Sequence, residues 1–200
     1  MDFRWAYKSA VTVFTDLVYR VPADRWDGPG LGDWSLRELA GHTVSSALRQ
    51  VPGVLATPGP AVIVEAPEGY WASTPPAADD AKAAGEALGD DPGARVAEYA
   101  RQATRALSAA GDNDVIAVPA GGMRVRTWIP TRTFELVVHG LDVAAAAGVP
   151  VEYATGVVAE MTQQAVAIAA TGRDSTFVLR ALTGRATLPP GYSVLSATTT

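Results

Sequence analysis

The chain contains no cysteine, which excludes disulfides, thiolate zinc fingers, iron–sulfur clusters and any thiol nucleophile of its own. Histidine is almost as scarce: there are two among 200 residues, His42 and His139. Lysine occurs only at Lys8 and Lys82, so positive charge is carried by arginine, a bias of GC-rich coding rather than of physical demand. Positive charge is also in deficit, with 16 basic against 21 acidic residues and a net charge of −5. This argues against nucleic acid or an anionic membrane surface as partner, since both need clustered positive charge. No run approaches the roughly 20 apolar residues that cross a bilayer. The opening Met1-Asp2-Phe3-Arg4 shows no basic-then-apolar leader, so a cytoplasmic protein is expected.

What is present is helical periodicity over a 48% hydrophobic chain, enough for a sizeable core. Phe3, Ala6, Ala10, Val13, Phe14 and Leu17 form one stripe and predict a helix from Phe3 to about Tyr19. The stretch from Val21 to Asp33, with Pro22, Gly28, Pro29, Gly30 and Gly32, reads as a connector. Ser35 with Glu38 three residues on is a capping box, opening a helix from Leu36 to about Gln50 that Pro52 and Gly53 end. The proline-rich stretch from Val54 to Pro76 reads as a long loop with one extended piece at Val62–Val64. A short helix from Ala77 to Leu88 and a long one from Asp91-Pro92 to Ala110 follow. Val115 to Trp128 reads as a ragged hairpin or extended connector. The remaining helices are expected at Pro130 to Ala147, capped by Gly148, at Thr155 to Ala170 and at Phe177 to Leu182, with the tail through Thr198 to Thr200 frayed. The fold class expected is an all-α helical bundle with long connectors and a small β-hairpin. It forms a single domain over 1–200, with 1–170 as the bundle and 171–200 as a short C-terminal extension.

Both histidines fall inside predicted bundle helices. At 100° per residue, Glu135 and His139 point the same way, with Arg132 and Asp142 within about a quarter turn. Phe134, Leu136, Val137, Val138, Leu141 and Val143 cover most of the remaining surface, so the helix is largely buried. Two readings of the polar stripe are open from spacing alone. In one it is a solvated face with intrahelical ion pairs worth a few tenths of a kcal/mol each. In the other, Glu135 and His139 join His42, which lies one turn after Leu39 toward the bundle interior, as a ligand set. Two imidazoles and one carboxylate suit zinc or another divalent first-row metal and leave coordination positions open.

The segments Trp34-Ser-Leu-Arg-Glu-Leu-Ala-Gly-His42 and Arg132-Thr-Phe-Glu135-Leu-Val-Val-His139-Gly-Leu-Asp142 resemble the two signature blocks of the mycothiol-dependent maleylpyruvate isomerase N-terminal family, within the DinB/YfiT-like superfamily. The resemblance covers roughly residues 1–170. It implies an up-down-down-up four-helix bundle with a divalent metal, usually zinc, held by His42, Glu135 and His139. It also implies a low-molecular-weight thiol such as mycothiol as cosubstrate. The isomerases of that family carry a further C-terminal domain, whereas here Leu179-Arg180-Ala-Leu-Thr-Gly-Arg185 resembles the short tail of single-domain relatives. The electrophilic substrate is therefore left open.

With no cysteine available, a metal at this set would activate an incoming thiol, whose free form is mostly protonated at neutral pH. The leading expectation is a metal-dependent thiol S-transferase acting on a small electrophile. A thiol-dependent cis–trans isomerase, a non-catalytic metal-binding bundle and a metal hydrolase are its rivals. Asp142 is expected either to orient a ligand or to pair with Arg132 or solvent, and Arg132 either to meet an anionic group or to pair with Glu135. Tyr70, Trp71 and Trp128 are expected in connectors that cap a pocket or the core's edge, and Trp26 and Trp34 in packing, while nothing in the spacing of Arg185 shows whether it reaches the site from the tail.

Overall fold

Asp2 starts the first helix, its carboxylate accepting from the backbone N–H groups of Arg4 and Trp5, and α1 runs over Phe3–Tyr19. The computed structural model describes residues 1–73, 80–119, 121–171 and 175–195. The predicted tail at Thr198 to Thr200, and the start of the helix expected from Ala77, lie outside them. Ser35 and Glu38 form the predicted capping box at the head of α2 (Leu36–Val44).

The helical path does not run to Gln50 as one regular helix. It widens into a π-helical turn over Ser45–Arg49 and resumes as α3 (Val51–Leu55). Pro52 does not end it, because a proline in the first turn of a helix gives up an N–H that has no helical partner there. Then come β1 (Val62–Val64), α4 (Glu68–Ser73), α5 (Ala81–Glu86) and α6 (Pro92–Ala109). The strands β2 (Val115–Val118) and β3 (Gly121–Arg124) lead directly into α7 (Val125–Ala147), which is followed by α8 (Thr155–Thr171) and α9 (Ser175–Leu182).

The all-α expectation needs amending: the chain is mostly helical but carries a small three-stranded sheet. β2 and β3 form the predicted antiparallel hairpin, with Ile116 opposite Met123, and β1 adds to β3 in parallel. The sheet order β1-β3-β2 gives β3 a partner on each side. Since Arg124 ends β3 and Val125 begins α7, the sheet fixes where the longest helix starts.

That start comes before Pro130, which sits inside α7 rather than at its head. The proline forfeits one helical bond to the carbonyl four residues earlier, on the exposed Arg126, where water can take its place. At the other end Gly148 adopts φ 69°, the left-handed cap that the sequence predicts.

α7 is the central element, packing against α1, α2 and α8, while α1 also packs on α6. Tyr7, Phe14, Leu17, Leu39, Trp128 and Ile129 are fully buried in the shared core. α5 lies so close to α2 that a Cβ on Gly41 would fall 2.3 Å from the backbone nitrogen of Gly85. Arg4 ties the start of α1 to the end of α6, donating to the carbonyls of Leu107 and Ala110 and pairing with Asp112. These carbonyls belong to the last turn of α6, where helical partners run out. Among the described residues no helix is long and apolar enough to cross a membrane.

Candidate metal centre

His42 is delivered by α2, two turns after its cap, and Glu135 and His139 by the middle of α7. The fold brings the three together although α2 and α7 are far apart in the chain. His139 Nε2 lies 3.3 Å and His42 Nε2 3.9 Å from the same oxygen, Glu135 Oε2. The two imidazole rings meet edge to face, with centroids 5.1 Å apart. Each residue offers one ligand atom, and these atoms all lie within 4.8 Å of one another.

That geometry can be tested against a metal. Nitrogen and oxygen donors held about 2.1 Å from one tetrahedral ion stand roughly 3.4 Å apart. The two separations from Glu135 Oε2, 3.3 and 3.9 Å, bracket this value, and with all three donor atoms within 4.8 Å of one another, side-chain adjustments of no more than about 1.4 Å would complete the set. The donor chemistry, two imidazoles and a carboxylate, suits a divalent first-row ion. Three protein donors also leave positions for a further ligand.

The surroundings orient each donor. His139 Nδ1 stands 3.2 Å from Asp142 Oδ2, so an Nδ1–H donates to that carboxylate, and Nε2 faces Glu135. Burial opposes a charge on the His139 ring, but its hydrogen bonds to Asp142 and Glu135, with the charges of those carboxylates, raise it to about 9. Burial pushes the Glu135 carboxyl upward. The His139 hydrogen bond and the positive charges of Arg132, His139 and His42 outweigh this and hold it below the ordinary value. The three side chains are only 13% to 18% exposed, which rules out the solvated-face reading of the stripe.

The expected single stripe is divided. Asp142 joins His139, but Arg132 turns into the core, where it is 2% exposed. Its guanidinium lies over the rings of Tyr70 and Trp128, at 4.8 and 5.3 Å, instead of pairing with Glu135. Arg132 Nη1 donates to the carbonyl of Ser46 in the π-helical turn, and Nε donates to Thr131 Oγ1. A π turn misaligns backbone carbonyls from their usual donors. Side chains supply substitutes here, since the Tyr7 hydroxyl donates to Ala47 and Gln50 Nε2 also donates to Ser46. Arg132 thus joins the helix carrying Glu135 and His139 to the turn just beyond His42.

The expected aromatic caps are placed differently. Tyr70 and Trp71 lie on α4, not in a loop, and Trp71 packs on Phe134 of α7 with centroids 5.2 Å apart. Trp128 is buried inside α7. Trp26 is a packing residue, as expected, under the guanidinium of Arg37. Trp34 is more than that, because its ring lies 4.9 Å from the His42 imidazole. It occupies the position just before the cap residue Ser35, where a large apolar side chain folds back over the first turns of a helix. Arg185 does not reach the site; it bonds locally to the carbonyls of Arg180 and Thr183.

A family model described as "Mycothiol maleylpyruvate isomerase N-terminal domain" matches residues 7–144, a span that contains all three candidate ligands. No curated protein and no solved structure matches the chain.

Proposed function

The chain belongs to the mycothiol maleylpyruvate isomerase N-terminal domain family, and from that membership and the His42–Glu135–His139 cluster we propose that it is a metal-dependent thiol S-transferase. Its cosubstrate would be a low-molecular-weight thiol of the mycothiol type and its acceptor a small electrophile. We read α1, α2 with its continuation, α6 and α7 as the family's up-down-down-up bundle, residues 1–170 as the metal-binding unit and 171–200 as a C-terminal extension. The observation that carries the reading is the convergence of three donors from α2 and α7 on one point, within 4.8 Å of one another.

A divalent ion, zinc by preference for this donor set, supplies Lewis acidity when bound and favours the thiolate over the thiol. Every other part of the site belongs to the protein. Glu135 is kept ionised by its cationic neighbours, His139 is oriented by its contact with Asp142, and His42 is packed against Trp34. Because the chain has no cysteine, the sulfur must arrive on the cosubstrate. In the reaction the thiol gives up its S–H proton and sulfur forms a bond to the electrophilic carbon. A leaving group then departs with its electron pair, or the neighbouring carbon takes up a proton.

The family's description favours a second reading, a thiol-dependent cis–trans isomerase. It shares the addition step, after which the adduct rotates about the former double bond and expels the thiol. Purified protein incubated with a thiol and either 1-chloro-2,4-dinitrobenzene or a dialkyl maleate separates the two, since a thioether accumulates in one case and the fumarate isomer in the other. Either product should require metal and disappear in His139→Ala. Full metal retention by that variant would remove the proposed ligand set.

A further inference from the structure

On the side of α7 that faces α8, a cavity of about 720 Å³ lies between α7, α8, α9 and the C-terminal segment after α9. Its volume is in the range that encloses a small organic ligand. Phe134 and Val138 form its α7 wall. Each immediately precedes a candidate ligand, Glu135 or His139, so the same two turns of helix carry the metal site on one flank and the cavity on the other. Among the described residues, no acidic, basic or histidine side chain lines the cavity. Of its hydroxyl groups, Thr162 already donates to the carbonyl of Val158, and Ser193 already accepts from the Leu195 N–H.

We propose that this cavity is a binding site for an uncharged, apolar small molecule. On the S-transferase reading above, on which this clause alone rests, the molecule is the apolar body of the acceptor. A small dianion would lose its hydration there with no cation among the described lining residues to pair with, a cost of several kcal/mol per charge. The mouth supports an occupant: Val166, Leu182, Leu188 and Leu195 line it while remaining 39% to 64% exposed. Four partly exposed side chains around a concavity fall short of the about 800 Å² per partner that a stable protein interface buries. They fit the rim of a pocket for a small molecule better than a face for a second copy.

The test is titration of the metal-free and metal-loaded protein with N-phenyl-1-naphthylamine, an uncharged fluorescent probe, in the absence of thiol. Saturable binding with one probe per chain is expected. Affinity should fall at least tenfold in Ala165→Trp and Ala181→Trp, which fill the cavity from α8 and α9, and stay within twofold in His139→Ala. Excess sodium maleate should not displace the probe. The proposal is overturned by absence of saturable binding, by unchanged affinity in both tryptophan variants, or by one probe per two chains with concentration-dependent dimerisation. If the tryptophan variants do not fold, photolabelling of the wild type with benzophenone decides. Adducts on peptides holding Phe134, Val178 or Leu188 support the site, and adducts confined elsewhere overturn it. Because no turnover is read, loss of transferase activity leaves the pocket standing, and failure of probe binding leaves the transferase reading standing.

Discussion

Replacing Asp142 tests whether the centre is a built metal site or only a buried ion-pair cluster. Asp142 touches no other candidate ligand and acts through one contact, 3.2 Å from His139 Nδ1. If Nε2 is a ligand atom, that contact fixes its tautomer and raises its basicity, and its loss typically weakens metal binding 10- to 100-fold, about 1.4–2.8 kcal/mol. Asp142 is 33% exposed, against 15% for His139, so water partly screens the contact and can replace it. The expected loss for Asp142→Ala is therefore near the lower bound, about tenfold. Asp142→Asn retains an acceptor without the charge and should fall between wild type and alanine. Competition for zinc against a chromophoric chelator at pH 7.5 reads these ratios, with circular dichroism confirming that helix content is unchanged. Affinities within twofold across all three proteins would refute the claim that Asp142 orients a ligand.

In the metal-free protein the raised value of His139, about 9 against 6.5 unfolded, makes stability depend on pH. A group whose folded value is raised stabilises fully below pH 6.5, and that contribution is lost as pH climbs through 9. Urea unfolding of the metal-free protein from pH 6 to 10 should show the midpoint declining over that window, and a flat profile would contradict it. Gly140→Ala would set a Cβ 1.9 Å from the buried Tyr153 hydroxyl, which donates to the carbonyl of Leu136. The overpacking cost of about 1–3 kcal/mol exceeds the roughly 1 kcal/mol gained in helix propensity. The melting temperature should thus drop by a few degrees, and Tyr153→Phe, which removes the obstructing oxygen, should restore most of it in the double mutant. Arg132→Lys cannot reproduce the guanidinium's two donations and its stacking, and should cost about 1–3 kcal/mol in chemical denaturation. It should also weaken zinc binding; unchanged affinity would mean that the π turn does not position His42.

Local chemistry carried much of the fold in the sequence. The Ser35–Glu38 box, the stripe of α1, Asp91-Pro92 and the Gly148 cap are each decided within a few residues, and each appears where expected. What could not be read locally depends on partners elsewhere in the chain. The extended piece expected at Val62–Val64 is present, but its pairing with β3 is not a local property, and neither is α4, which holds Trp71 against Phe134. The head of α7 reaches back to Val125 because the sheet ends there, overriding the proline at position 130.

The site divides along the same line. The four-residue spacing of Glu135 and His139 aligns them by helix geometry alone, and the greasy remainder of α7 signals that the pair is buried. Spacing could not assign Arg132, because position 132 lies one turn from Glu135 whether the guanidinium pairs with that carboxylate or turns the other way. The choice is made by the π turn at Ser45–Arg49, whose displaced carbonyls offer Arg132 a buried acceptor, and by Tyr70 and Trp128, whose rings cover its charge. No pattern in residues 36–50 announces that turn. The same irregularity that shortened the predicted helix therefore also drew Arg132 away from a pair with Glu135, one of the two roles open to it, leaving the carboxylate to face the two imidazoles.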